Sequence, residues 1–205
     1  ISHAGEYDAT DDERTLFSSI SDRHTNRLPY ARTHVPSEHV AAMINDVIAE
    51  HAWFRHIHDG EEKHAVADMI AEADQIQASD KRFRRELASW LHPNRSKCGD
   101  GIPGYAMGAG EIASYVGPFL VRTFDWGEGQ AAKDRQLAEG SPLLFIIGTD
   151  EDNALSWLHA GQALARVLLR ATSLGLSASF LNQPIEVDIE DIENYPSGKA
   201  RFFQD

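Results

Sequence analysis

Only one cysteine, Cys98, occurs in the 205 residues, so an intrachain disulfide is impossible. A lone thiol and the lack of a signal-peptide pattern give the expectation of a reducing, cytoplasmic compartment. Basic residues are scarce: 19 Lys and Arg stand against 32 Asp and Glu, a formal charge of -13. That balance argues against broad binding to nucleic acid or to an anionic membrane surface, which needs a basic face. It leaves room for a local basic pocket that takes one phosphate. No uninterrupted apolar run approaches the roughly 20 residues that cross a bilayer, so no transmembrane helix is expected. G-x-S-x-G, P-loop and G-x-G-x-x-G motifs are missing, as are internal repeats and low-complexity tracts. Methionine is absent before Met43, and the chain opens on isoleucine.

What is present is ordinary globular material, with 42% hydrophobic and 25% charged residues. Its strongest organising stretch covers residues 149–187. Polar residues at His159, Gln162, Arg166 and Arg170 trace one narrow stripe on a helix that is otherwise apolar. Such a helix is expected to be enclosed by other elements or by a partner subunit. Asn153 and its acidic neighbours are N-cap candidates, and Gly175 sits where a left-handed C-terminal cap belongs. Residues 176–181 then read as a strand, followed by a polar loop, Asn182-Gln183-Pro184-Ile185-Glu186.

Elsewhere, residues 1–14 read as a polar arm and 15–20 as a short helix, with one domain over 15–205. Val40, Met43, Ile44, Val47 and Ile48 mark the core face of a helix over 37–50. Residues 53–58 read as a strand. Ala65, Met69, Ile70, Ala73 and Ile76 stripe a helix over 61–77, and Phe83, Leu87, Trp90 and Leu91 stripe one over 80–90. Residues 92–110 hold two prolines and five glycines and read as a loop, a candidate lid or partner-embracing arm. A short helix over 111–123 is expected to stop near Gly117-Pro118, 125–140 is polar, and 143–147 (LLFII) is a strand buried on both faces. The tail carries an acidic IEDIEN segment and a basic-aromatic end around Lys199 and Arg201.

Three constellations carry possible chemistry. Arg23-His24-Thr25-Asn26-Arg27 places two guanidinium groups and a hydroxyl within five residues of an acidic protein. Arginine matches phosphate bidentately, although a solvated charge cluster is the plainer account of the same residues. The Gln183-Pro184-Ile185-Glu186 segment offers donors at the end of an apparent strand, where an ordinary polar exit loop is the plainer account. His51, His56, His58 and His64 suit no standard zinc spacing, so no metal site is expected. Nothing in the spacing pairs Cys98 with a catalytic base.

The first two constellations together resemble a known family. Arg23 to Tyr30 (RHTNRLPY) is similar to the phosphate-binding signature of the nitroreductase family, an arginine followed by Ser/Thr and a second basic residue. Trp157-Leu158-x-Ala160-Gly161-x-Ala163-Leu164, Leu168-Leu169-x-Ala171-Thr172 and Gln183-Pro184-Ile185-Glu186-Val187 resemble, more specifically, its Acg-like branch, built from two nitroreductase-like halves. The resemblance covers residues 16–187. It implies an α+β fold with a mixed sheet flanked by helices around a long buried interface helix. It implies FMN, with NAD(P)H as co-substrate and a small-molecule electron acceptor of nitroaromatic or quinone type. Arg23, Thr25 and Arg27 would hold the phosphate with His24 adjacent, and Gln183, Pro184, Ile185 and Glu186 would face the isoalloxazine ring. No protein acid or base is required, since the hydride chemistry belongs to the cofactor. The alternative within that branch is non-catalytic storage of FMN. The family's N-x-Q-P-W-R-F and L-L-R-L-G segments have no match here. With the missing methionine, this gives the expectation of the C-terminal part of a longer protein, acting as a homodimer or as a pseudo-dimer with an N-terminal half.

Overall fold

The computed structural model describes residues 7–57 and 60–187; His58, the IEDIEN segment, Lys199 and Arg201 lie outside the described residues. Helices dominate and the described strands form two-stranded pairs, an α+β arrangement. No described helix is long and apolar enough to cross a membrane. The chain divides into two compact units, one of residues 7–26, Thr33–Ile57 and Phe145–Ser179, the other of Arg27–Arg32, 60–144 and 180–187.

In the first unit, α1 (Asp11–Ser18) starts four residues before the position expected from composition. The cause is a capping box: Glu13 N–H donates to Thr10 Oγ1 at 3.2 Å, and Thr10 N–H donates to the Glu13 carboxylate at 2.7 Å. Helix α2 (Ser37–Ala49) buries Met43 and Val47 as its periodicity requires, but Ile48 points outward and Asp46 points in. Strand β1 (Trp53–Ile57) pairs with β4 (Leu144–Gly148). Phe54 and Phe145 stack with ring centroids 4.5 Å apart. The expectation that LLFII is buried on both faces is not met; every residue of β4 is half-buried, because the described sheet has only two strands.

The long helix is α7 (Ala154–Ser173). Asn153 Oδ1 accepts from Leu155 N–H and Ser156 N–H, both at 3.0 Å. At the other end Gly175 has φ +71°, Leu176 N–H reaches Ala171 O at 2.8 Å and Gly175 N–H reaches Thr172 O at 3.0 Å, a Schellman ending. Burial departs from expectation. Ala163, Val167 and Ala171 are enclosed, but Trp157 is 65% exposed and Leu155 and Leu158 also face outward. Within this unit α7 packs on α1 and α2; Leu164, Leu168 and Leu169 are half-buried, while among the described residues nothing covers Leu155, Trp157 and Leu158. The polar stripe finds partners through Arg166 and Arg170, which both meet the Asp46 carboxylate of α2.

The second unit is built on α3 (Gly60–Ser79) against α6 (Gly127–Gly140). Ala67, Ile70 and Ala138 form its core, with Val66, Leu144 and Leu181 packed against them. Residues 125–140 look polar because alanine carries little hydrophobic signal, yet Ala131, Leu137 and Ala138 are buried and small enough for close helix contact. Helix α4 (Lys81–Trp90) is capped by Asp80 and packs on α5 (Glu111–Thr123), which runs through Pro118 instead of stopping there. The segment over 92–110 is not wholly irregular: β2 (Leu91–His92) pairs in parallel with β3 (Ile102–Pro103), and a 3-10 turn follows over Gly104–Met107. A short helix, α8 (Gln183–Glu186), stands where a loop was expected and packs on α3.

Candidate functional site

The basic motif begins where α1 ends. Arg23 N–H donates to Ser19 O at 3.0 Å, closing the turn. Thr25 and Ala178 form an isolated parallel bridge, with Asn26 N–H donating to Ala178 O at 2.9 Å. The strand expected over 176–181 is therefore reduced, among the described residues, to that bridge. Backbone pairing leaves the motif extended, with Arg23 and Thr25 half-buried and His24 exposed. The His24 ring lies 3.1 Å from Asp22 O through Nδ1. Arg27, also half-buried, opens the second unit. Among the described residues, neither Arg23 nor Arg27 forms an ion pair with a carboxylate, in contrast to Arg166 and Arg170. Half-buried guanidinium groups without an internal counter-charge suit an external anion.

The 183–186 segment sits over a buried acidic pair. Gln183 Nε2 donates to Asp134 Oδ2 at 2.8 Å and to Asp74 Oδ1 at 3.2 Å. Asp134 also accepts from Gln130 at 2.9 Å. Asp74 is 2% exposed and Asp134 4%. Burial, followed by the neighbouring Asp134 charge, pushes the Asp74 carboxyl up to about 7, against a smaller opposing effect of the Gln183 amide. Asp74 Oδ2 and Gln183 Oε1 are buried with no hydrogen-bond partner. A proton held on Asp74 therefore lowers the repulsion that two buried carboxylates would otherwise carry. Glu186 is tied down as well: it accepts from Gln77 Nε2 at 2.8 Å and from Asn182 Nδ2.

These contacts use the side chains of Gln183 and Glu186 inside their own unit. Pro184 has no N–H, and the Ile185 N–H donates to Asn182 O at 3.0 Å. What α8 presents outward is the Ile185 side chain, 74% exposed. Asp74 and Asp134 were not among the sequence candidates. The signal was there: Asp74 follows Ile70 by four residues, and Asp134 lies between Ala131 and Ala138, so each acid falls on a buried helical face. Of the four histidines, His51 has φ +57° and its ring lies 5.0 Å from that of His159, while His64 lies 3.6 Å from Glu139.

A family model described as the nitroreductase family matches residues 20–202. Two curated proteins of Mycobacterium tuberculosis, "Putative NAD(P)H nitroreductase MT3217" of strain CDC 1551 and "Putative NAD(P)H nitroreductase Rv3131" of strain H37Rv, are each 26% identical to the chain over 172 residues. The alignments cover 84% of this chain and 48% of each relative, so the chain spans about half the length of the curated relatives it matches. No solved structure matches it significantly.

Proposed function

The chain belongs to the nitroreductase family, and from that premise we propose that it supplies FMN-binding residues to an NAD(P)H-dependent oxidoreductase acting on nitroaromatic or quinone-like acceptors. The observation that carries this reading is the Arg23-Thr25-Arg27 motif, whose guanidinium groups have no carboxylate partner among the described residues of an acidic chain. The donor set fits a phosphate: two planar cations and a hydroxyl can share its oxygens. Bound FMN supplies hydride acceptance and donation.

Arg23, Thr25 and Arg27 bind the phosphate in this reading, with the exposed His24 beside them. Gln183, Pro184, Ile185 and Glu186 form one edge of the ring site. The Gln183 and Glu186 side chains act by holding α8 in place, and Ile185 provides apolar contact and excludes water. The uncovered apolar flank of α7, with Leu155, Trp157 and Leu158, supports a homodimer or pseudo-dimer in which that helix is shared. Cytoplasmic residence accords with the single cysteine.

The test is titration of FMN into the full-length protein, followed by anaerobic addition of NADPH. Saturable binding, weakened at least about tenfold by Arg23→Ala, is expected from the loss of a charge-assisted phosphate contact. Bleaching of the flavin, then reoxidation by a nitroaromatic or quinone, is expected of the oxidoreductase. A bound flavin inert to NADPH would move the assignment to storage of FMN, and absence of binding would overturn both.

A further inference from the structure

We propose that His92, Cys98 and Asp100 form a zinc-class metal site at the base of the loop joining β2 to β3. The ligand atoms of these residues, one imidazole nitrogen, the thiol sulfur and one carboxylate oxygen, all lie within 4.8 Å of one another. The His92 Nε2 to Asp100 Oδ1 separation is 3.5 Å. Two nitrogen or oxygen ligands on a tetrahedral zinc, each at about 2.1 Å from the metal, stand roughly 3.4 Å apart, so this edge is already spaced for the ion. The sulfur, within 4.8 Å of both other donors, needs to approach by at most about an ångström to reach the ~3.6 Å edge that a Zn–S bond of about 2.3 Å requires. Cys98 is exposed, so side-chain rotation supplies that movement without repacking a core.

The backbone brings the three donors together. Parallel pairing of His92 with Pro103 and of Leu91 with Ile102 turns the intervening chain back over the His92 ring. Gly101 makes the return possible. It has φ +75°, and a Cβ there would lie 2.5 Å from His92 Cδ2 and Nε2 and 2.5 Å from Trp90 O. Cys98 is positioned by its N–H, which donates to Ser96 Oγ at 3.2 Å. His92 is the half-buried member, with 23% side-chain exposure, while Asp100 reaches in from solvent.

The donor chemistry selects the metal. A thiolate beside an imidazole favours a borderline ion such as Zn²⁺ over Mg²⁺ or Ca²⁺, which prefer all-oxygen shells. Thiolate and carboxylate together carry two negative charges, which balance a dication, and binding releases the thiol proton to solvent. Three protein ligands leave the fourth position to water. The site lies within the second unit, remote in sequence from the flavin motif, and stands independently of the FMN assignment.

Cobalt(II), titrated into the metal-free full-length protein under reducing conditions, is the probe. One equivalent is expected to bind and to give a thiolate-to-cobalt charge-transfer band in the near ultraviolet. Cys98→Ser should abolish that band, and His92→Ala or Asp100→Asn should weaken binding by at least about tenfold, since even partners of metal ligands cost that much. Gly101→Ala should weaken it too, by displacing the His92 ring. Circular dichroism of the variants confirms that the fold is retained. Absence of the band at saturating cobalt, or affinity unchanged in His92→Ala, overturns the proposal.

Discussion

Arg170 of the long helix and Asp46 of α2 form an enclosed ion pair: Nε donates to Oδ2 at 2.7 Å, and the side chains are 14% and 4% exposed. Asp46 also accepts from Arg166 at 3.2 Å, and Arg170 reaches Asp12 at 2.7 Å. A carboxylate this deep in an apolar helix face is costly to bury once its donors are removed.

Arg170→Ala is therefore expected to destabilise the fold by about 3 kcal/mol, the lower end for breaking a buried pair, because Arg166 remains as a second donor. Urea unfolding measures it. A loss below about 1 kcal/mol would place the pair among ordinary surface ion pairs.

The buried acidic pair makes stability depend on pH. Asp74 rises from 3.8 to about 7 on folding, so between those values the folded state binds more protons than the unfolded. The contribution of this group is fully present below about pH 4 and is lost as pH rises through 7, to an extent of roughly 4 kcal/mol at most. Asp74→Asn keeps an oxygen to accept from Gln183 and cannot ionise. Its unfolding free energy should fall less between pH 5 and 8 than that of the parent protein, and parallel pH profiles for the two would refute the assignment.

Gly148 is held against the Trp53 ring so closely that an added Cβ would lie 2.1 Å from Cζ2. Gly148→Ala should cost about 1–3 kcal/mol, as overpacking does. In thermal melts, combining it with Trp53→Leu should cost less than the sum of the two single changes. Strict additivity would show that the ring moves aside freely.

Asn153 caps α7 through two hydrogen bonds from one side-chain oxygen. Asn153→Ala should lower stability by about 1 kcal/mol, and Asn153→Asp should retain most of it. Equal losses in the two variants would count against a capping role.

The ends of α7 were decided by sequence alone, because a cap needs only a few consecutive residues: Asn153 before the helix and Gly175 after it. The Thr10 to Glu13 box was equally local, though composition hid it behind an acidic run. The Arg23 to Arg27 motif, the α7 block and the 183–186 segment were legible as residue types at fixed spacing, and the resemblance they carried agrees with the family model. Tertiary structure decided the rest. It made a helix of the polar-looking 127–140 stretch, since Ala131 and Ala138 gain their value only from an opposing α3. It turned the polar stripe of α7 toward Asp46 and left Trp157 in solvent, a choice between faces that periodicity cannot make. It joined Asp74, Asp134 and Gln183, and set His92 beside Cys98 and Asp100, because those meetings depend on where helices and a returning loop pack. Local chemistry is written in neighbours along the chain; the buried acidic pair and the proposed metal site are written in neighbours across it.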